Sequence, residues 1–232
     1  MRLVALAIVA GLLSACSSGG MSSEKSGGVL IFGASRASGL EVAKLLAARG
    51  EDVTAFVRPT SDRTALNALK VHYATGDALN PADVATAFKG HKYRAVISTL
   101  GGKGGEPAPD FEGTKNVVDA AKAAGVNRMI IVTVLGPGDS MKIVPEQQRR
   151  GLSKVIVLKE QAEKYLVESG LKYTILRPGQ LTNEAANGKI TLSEVPLSAK
   201  PITRADLAAK VVECLDSKKT IRKLYYPAST AN

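Results

Sequence analysis

Val29-Leu30-Ile31-Phe32-Gly33-Ala34-Ser35-Arg36-Ala37-Ser38-Gly39-Leu40 passes from four apolar residues, through a turn with glycine at both ends, into a helical pattern. The run over 29–32 shows no apolar/polar alternation, as expected of a strand covered on both faces. Leu40, Val42, Leu45 and Leu46 then recur at helical spacing and predict a helix over 38–49. A glycine-rich turn at such a junction lets backbone approach a diphosphate. The N–H groups and positive dipole end of the following helix then face the anion. Gly33, Ser35, Arg36, Ser38 and Gly39 are therefore candidate nucleotide contacts.

The same alternation continues outward from this turn. Strands are predicted over 52–57, 71–75, 94–99, 128–133 and 173–176, and Lys223 to Tyr226 closes the set. Helices are predicted from Pro81 behind an Asn80 N-cap, over 110–124, over 154–169 and over 203–215 with Thr203 as N-cap. Repeated strand–helix–strand units imply a parallel sheet covered on both faces. The expected fold is one α/β domain over 28–228, a Rossmann-type doubly wound parallel sheet. Gly179 to Pro201 lacks periodicity and reads as a loop or flap over the site.

The first residues read as a targeting segment. Arg2 supplies a positive start, Leu3 to Leu13 is an apolar run, and Leu13-Ser14-Ala15-Cys16 resembles the lipobox of bacterial lipoproteins. That resemblance implies a signal peptide over 1–15 and acylation of Cys16. Ser17 to Gly28 is rich in Ser and Gly, so 16–27 reads as a flexible tether. The expected location is a membrane-anchored lipoprotein facing the periplasm or exterior. Initiation at Met21 would instead leave a cytoplasmic protein.

Composition removes other classes. The chain has 232 residues, 45% hydrophobic, 4% aromatic and without Trp, which argues against a stacking platform for single-stranded nucleic acid. Two cysteines and two histidines, far apart, offer neither a disulfide framework nor metal-ligand spacing. The formal net charge is +10, but Lys and Arg are scattered without a dense run, as on a solvated surface. No nucleic-acid partner is expected, and membrane contact is expected through the lipid anchor only. The sequence carries no signal for an oligomeric state.

The second predicted strand ends Val57-Arg58, followed by Ser61 and Arg63. An acid here would bind the ribose 2′-hydroxyl of NAD, whereas a basic residue accommodates the 2′-phosphate of NADP. Arg58, with Arg36 as a second contact, selects NADP(H) as the expected cofactor.

In order, these motifs resemble the atypical short-chain dehydrogenases/reductases, of the small NAD(P)H-binding group that includes NmrA-like proteins and flavin reductase/biliverdin-IXβ reductase. The resemblance rests on Gly33–Gly39, Val57-Arg58-Pro59, Gly76-Asp77-Ala78, Ser98-Thr99-Leu100-Gly101, Asp110–Asn116, Leu176-Arg177-Pro178-Gly179 and Ile202-Thr203-Arg204-Ala205-Asp206. It implies that Asp77 and Ala78 border adenine, that Thr99 and Gly101 lie near the nicotinamide ribose, and that Pro178 lines the cofactor site. The family's Tyr-x-x-x-Lys places Lys159 at the Lys, able to hold ribose hydroxyls, but Val155 at the Tyr. The family's Ser falls at Thr133 or Val134, with Val134 the better match. Thr133 and Lys159 are thus the catalytic candidates. Asp139 and Ser140, after the fifth strand, lie where a substrate would enter. The resemblance implies an NADPH-dependent oxidoreductase acting on a flavin, quinone or similar planar acceptor. The alternative is a dinucleotide-binding sensor or scaffold without chemistry.

Overall fold

A computed structural model describes residues 26–102 and 109–230. Cys16 and the lipobox lie outside the described residues. In chain order the strands are β1 (Gly28–Phe32), β2 (Val53–Val57), β3 (His72–Thr75), β4 (Tyr93–Ser98), β5 (Arg128–Val132), β6 (Lys172–Leu176), β7 (Leu181–Thr182), β8 (Ile190–Ser193), β9 (Ile202–Thr203) and β10 (Lys223–Ser229). The helices are α1 (Ala37–Ala48), α2 (Thr64–Asn67), α3 (Pro81–Thr86), α4 (Glu112–Ala123), α5 (Glu146–Glu168) and α6 (Arg204–Asp216). The main sheet has eight strands in the order β3-β2-β1-β4-β5-β6-β10-β8, and β7 pairs with β9 apart from it.

β1 shows why the sheet is covered twice. Val29 and Ile31 join Val42 and Leu46 of α1 and Val211 and Val212 of α6 in one core. Leu30 and Phe32 join Val117 and Val118 of α4 and Leu166 of α5 in the other. Successive strand residues point to opposite faces, so an unbroken apolar run feeds both layers. Arg128 fastens β5 to its neighbours on the first face. Its guanidinium donates to Lys172 O at 2.8 Å, Thr174 Oγ1 at 2.8 Å and Cys214 O at 2.7 Å. Burial pulls its pKa down to about 10, so it remains cationic at neutral pH. Cys214 is buried beside it, and burial pushes the thiol up to about 11.

The structure corrects three sequence expectations. β8 runs antiparallel to β10, so the sheet is mixed rather than wholly parallel. Residues 179–201, read as an irregular flap, supply β7 and β8. α5 begins at Glu146 rather than Lys154, directly after Pro145.

The segment before α6 is tied down by one carboxylate. Asp206 accepts the N–H groups of Asn187 at 3.1 Å and Gly188 at 2.9 Å, and the Thr203 hydroxyl at 2.8 Å. Burial alone would raise its pKa, but these hydrogen bonds outweigh it and hold the carboxyl below the usual range. A lowered folded pKa stabilises above the unfolded value, and that stability is lost as pH falls through the folded one. Asp206→Asn should therefore cost about 2 kcal/mol at neutral pH, or roughly 4–8 °C in Tm. Acidification below about pH 4 should then weaken the variant less than the wild type, as thermal melts at successive pH values will show.

Candidate functional site

The strand order reverses at β1, between β2 and β4, which opens a crevice at the carboxyl ends of these strands. Gly33 turns the chain at φ +83°, a left-handed conformation suited to glycine. Thr99, just after β4, packs beneath this turn. Its hydroxyl donates to the carbonyls of Phe32 at 3.2 Å and Gly33 at 3.3 Å. A Cβ at Gly39 would run into the Gly33 carbonyl and the Thr99 hydroxyl. Two backbone segments and one side chain thus meet where no methyl group fits.

The helix that follows presents an open N-terminus. α3 and α6 are capped by Asn80 and Thr203, and α3, α4, α5 and α6 each carry an acid in the first turn. α1 has no side-chain cap and no first-turn acid. Its dipole end is therefore free to receive an anion. Arg36 is extended, at φ −159°, so this position needs no glycine; the left-handed residue is Ala37, at φ 51°. Arg36 is exposed, and its guanidinium reaches over the crevice to Gly101 O at 3.4 Å. Ser38 is buried and Ser35 half-buried in the turn.

The residues expected to meet adenine lie at the ends of β2 and β3. Arg58 is exposed directly after β2, and its backbone N–H is fixed by Ser61 Oγ at 3.1 Å. Arg63 lies over the Tyr73 ring at 5.2 Å and donates to Thr75 at 3.3 Å. Asp77 is exposed and closes an Asx turn by accepting the Leu79 N–H at 2.9 Å. Ala78 is buried, its carbonyl held by Asn116 at 2.9 Å.

The opposite side holds two buried ion pairs, both anchored on α5. Lys159 is 6% exposed; its ammonium meets Leu100 O and stands 3.0 Å from Asp110 Oδ1, a charge contact without hydrogen-bond alignment. Asp110 Oδ2 in turn accepts the Gly102 N–H at 2.9 Å. The lysine therefore braces the loop after β4. One turn later on α5, Glu163 accepts the Thr133 hydroxyl at 2.5 Å and Arg177 at 3.0 and 3.1 Å. Arg177 also donates to Pro137 O at 2.8 Å and to the Tyr226 hydroxyl at 3.0 Å. Burial alone would lower the Arg177 pKa, but the Glu163 carboxylate outweighs it and holds the group above its usual value. Pro178 is buried, and its carbonyl accepts the Leu135 N–H at 2.8 Å.

Thr133 and Lys159 thus come to one side of the crevice, Thr133 hydrogen-bonded to buried Glu163 and Lys159 ion-paired with buried Asp110. Ser140 is fully buried. It accepts the Gly136 N–H at 2.9 Å and donates to Pro137 O at 2.8 Å, so it builds the turn and does not reach a substrate. Asp139 faces solvent beside Lys142. Sequence reading missed Glu163, Arg177 and Tyr226 as a unit. A signal existed, because Glu163 stands four residues after Lys159 on the buried stripe of Ile156, Ala162 and Leu166.

A turn cleared of side chains, an uncapped helix and flanking arginines form a cradle for a dinucleotide. The chain belongs to a family described as NAD(P)H-binding, whose model matches residues 33–218. It is 31% identical over 179 residues to the uncharacterized sugar epimerase YhfK of Bacillus subtilis, covering 75% of this chain and 80% of that protein. Over 121 residues it is 31% identical to sanguinarine reductase of Eschscholzia californica, covering 50% of this chain and 43% of that protein. Among solved structures it resembles ChuY, an anaerobillin reductase from Escherichia coli O157:H7, at a TM-score of 0.78 and 32% identity, covering 88% of this chain and 98% of that one. The chain is thus an NAD(P)H-binding protein of an oxidoreductase family, with a single-domain Rossmann-like fold.

Gly39→Ala should abolish NAD(P)H binding in a fluorescence titration, because the methyl forces the turn off Thr99. Glu163→Gln leaves the buried Arg177 without its counter-charge. It should lower stability by about 3 kcal/mol in chemical denaturation.

Proposed function

We propose that the protein is an NADPH-dependent reductase of planar acceptors such as flavins or quinones. One observation carries the choice of NADPH: Arg58, exposed at the end of β2, occupies the position where NAD-binding folds place an acid. Its guanidinium has no carboxylate partner among the described residues. Arg36 is a second exposed cation in the turn after β1, with its guanidinium at Gly101 O on the β4 side of the crevice. Arginine suits a phosphate monoester because its planar fork engages two oxygens together.

The acceptor side rests on a small apolar core. Leu135, Val144 and Tyr226 pack with Ile143 and Ala199 in a small cluster beyond the ends of β5 and β6. These side chains are buried, so they form the packed base beneath the loops on this side of the crevice. When bound, the nicotinamide supplies a hydride, and the acceptor gains two electrons. The protein's part is to orient the reacting faces. The Lys159–Asp110 pair fixes the loop after β4, and the Arg177–Pro137 hydrogen bond fixes the loop after β5. Val155 and Val134 stand where the family's acid would be, so the balancing proton comes from water. Flavins and quinones tolerate this because their reduced anions are stable enough to be protonated afterwards.

The missing acid also supports a second reading, a dinucleotide-binding sensor without turnover. One experiment covers both. NADPH and NADH are titrated by fluorescence, and NADPH oxidation is then followed with flavin and quinone acceptors. NADPH should bind at least about tenfold tighter than NADH, with Arg58→Ala erasing the difference by weakening NADPH alone. Binding without turnover on any acceptor would select the sensor, and equal affinity for both nucleotides would overturn the NADPH assignment.

A further inference from the structure

All strands of the main sheet except β8 run parallel, so their amino ends share one edge, opposite the nucleotide crevice. The residues entering those strands, and the last turns of the helices, gather there. Lys70 precedes β3, Lys89 and Lys92 precede β4, Lys122 ends α4, Lys172 opens β6, and Lys218, Lys219 and Arg222 precede β10. All eight are exposed. None forms an ion pair among the described residues. Of the acids near this edge, Glu51 and Asp216 pair with Arg94 and Arg49, Glu213 with Lys210 and Glu168 with Lys164, while exposed Asp52 stands 3.6 Å from His72. Seven strands set side by side make the edge roughly 30 Å wide.

The chain enters the fold on this same edge. The Gly28 N–H donates to Lys92 O at 2.9 Å, so the segment before it leaves beside Lys92. That segment carries the apolar run Leu3–Leu13 and the lipobox Cys16. Cys16 and Gly27 are so close in sequence that even a fully extended chain between them spans at most about 40 Å, which keeps the basic edge near any bilayer that holds Cys16.

We infer that the amino edge of the sheet is a docking surface for anionic lipid headgroups, adding an electrostatic contact to the N-terminal anchor. Scattered lysines that look like ordinary solvation in sequence become one face in the fold. Lipid is favoured over nucleic acid because the apolar segment and the basic face leave from the same place. The nucleotide crevice, at the other edge, then faces away from the membrane. The inference rests on the lipobox reading and is independent of the proposed reaction.

The test is vesicle co-sedimentation of the full chain with phosphatidylglycerol-containing and with pure phosphatidylcholine vesicles. It compares the wild type, Lys89→Gln/Lys92→Gln/Lys218→Gln/Lys219→Gln, and a control with Lys142, Arg149, Arg150 and Lys154 each changed to Gln. All three share the N-terminal segment, so differences report the domain surface, and circular dichroism reports folding. A lysine near an anionic surface strengthens binding roughly fivefold. The wild type should prefer anionic vesicles, the edge variant should lose at least about tenfold of that preference, and the control should keep it. Raising salt should remove the preference, since the screening length falls from about 10 Å at 0.1 M to about 3 Å at 1 M. Equal binding of wild type to both vesicle types, or an edge variant indistinguishable from wild type, overturns the inference. Tighter binding to duplex DNA than to anionic vesicles overturns the choice of lipid.

Discussion

The structure turns on a place where nothing can be added. Gly39, at the start of α1, lies against the Gly33 carbonyl and the Thr99 hydroxyl with no room for a Cβ. That approach sets α1 down on the end of β1 and joins β1 to β4 at the point where the strand order reverses. It also aims the uncapped end of α1 into the crevice. Behind the turn, Val42, Ala43 and Leu46 pack into the same core as Leu207, Val211 and Val212 of α6. The geometry of the phosphate cradle and the stability of one helical layer are therefore set by the same contact. Ala37 shows the strain this turn accepts, a non-glycine residue held at φ 51°. Left-handed backbone costs such a residue roughly 1 kcal/mol.

Much of this was legible in the sequence, for a physical reason. Parallel strands buried on both faces must be apolar throughout, so 29–32 and its counterparts stand out without any partner being known. Asn80, Thr203 and the glycines at 33 and 39 announce themselves because caps and tight turns have local chemical requirements. β8 did not stand out: Ile190-Thr191-Leu192-Ser193 is four residues long and gains its meaning only beside β10. The first turns of α5 were hidden because Glu146 to Lys154 is polar and contains Gly151, leaving no apolar stripe to read. Local signals survive in sequence; those that depend on a partner strand do not.

The candidate site divides the same way. Arg58 and Arg36 were readable because their meaning lies in their place along one loop. Glu163 and Arg177 sit on different elements, and only the fold shows that one is the other's counter-charge. The basic amino edge is a stronger case, since its eight cations come from five separate places in the chain. Charge runs in a sequence report clusters along the chain, whereas a parallel sheet gathers residues that follow each helix onto one rim.

The two buried ion pairs bear on how the proposed reaction would proceed without the acid that the family resemblance implies. Lys159 and Glu163 are one helical turn apart on α5, and each reaches a different loop at the crevice mouth: Lys159 through Leu100, and Glu163 through Arg177 to Pro137. Burying charge is costly unless the geometry is satisfied, and here both pairs are braced by backbone groups. Their rigidity fixes the loops on either side of the region where hydride would pass. In the proposed reaction the barrier is then lowered by holding reactants in place rather than by moving a proton. That restricts the acceptors to molecules whose reduced form survives until water protonates it, which excludes simple ketones and favours extended conjugated rings. In that proposed reaction, valine at the acid's place beside two buried ion pairs would select substrates by their electronic character as well as by their shape.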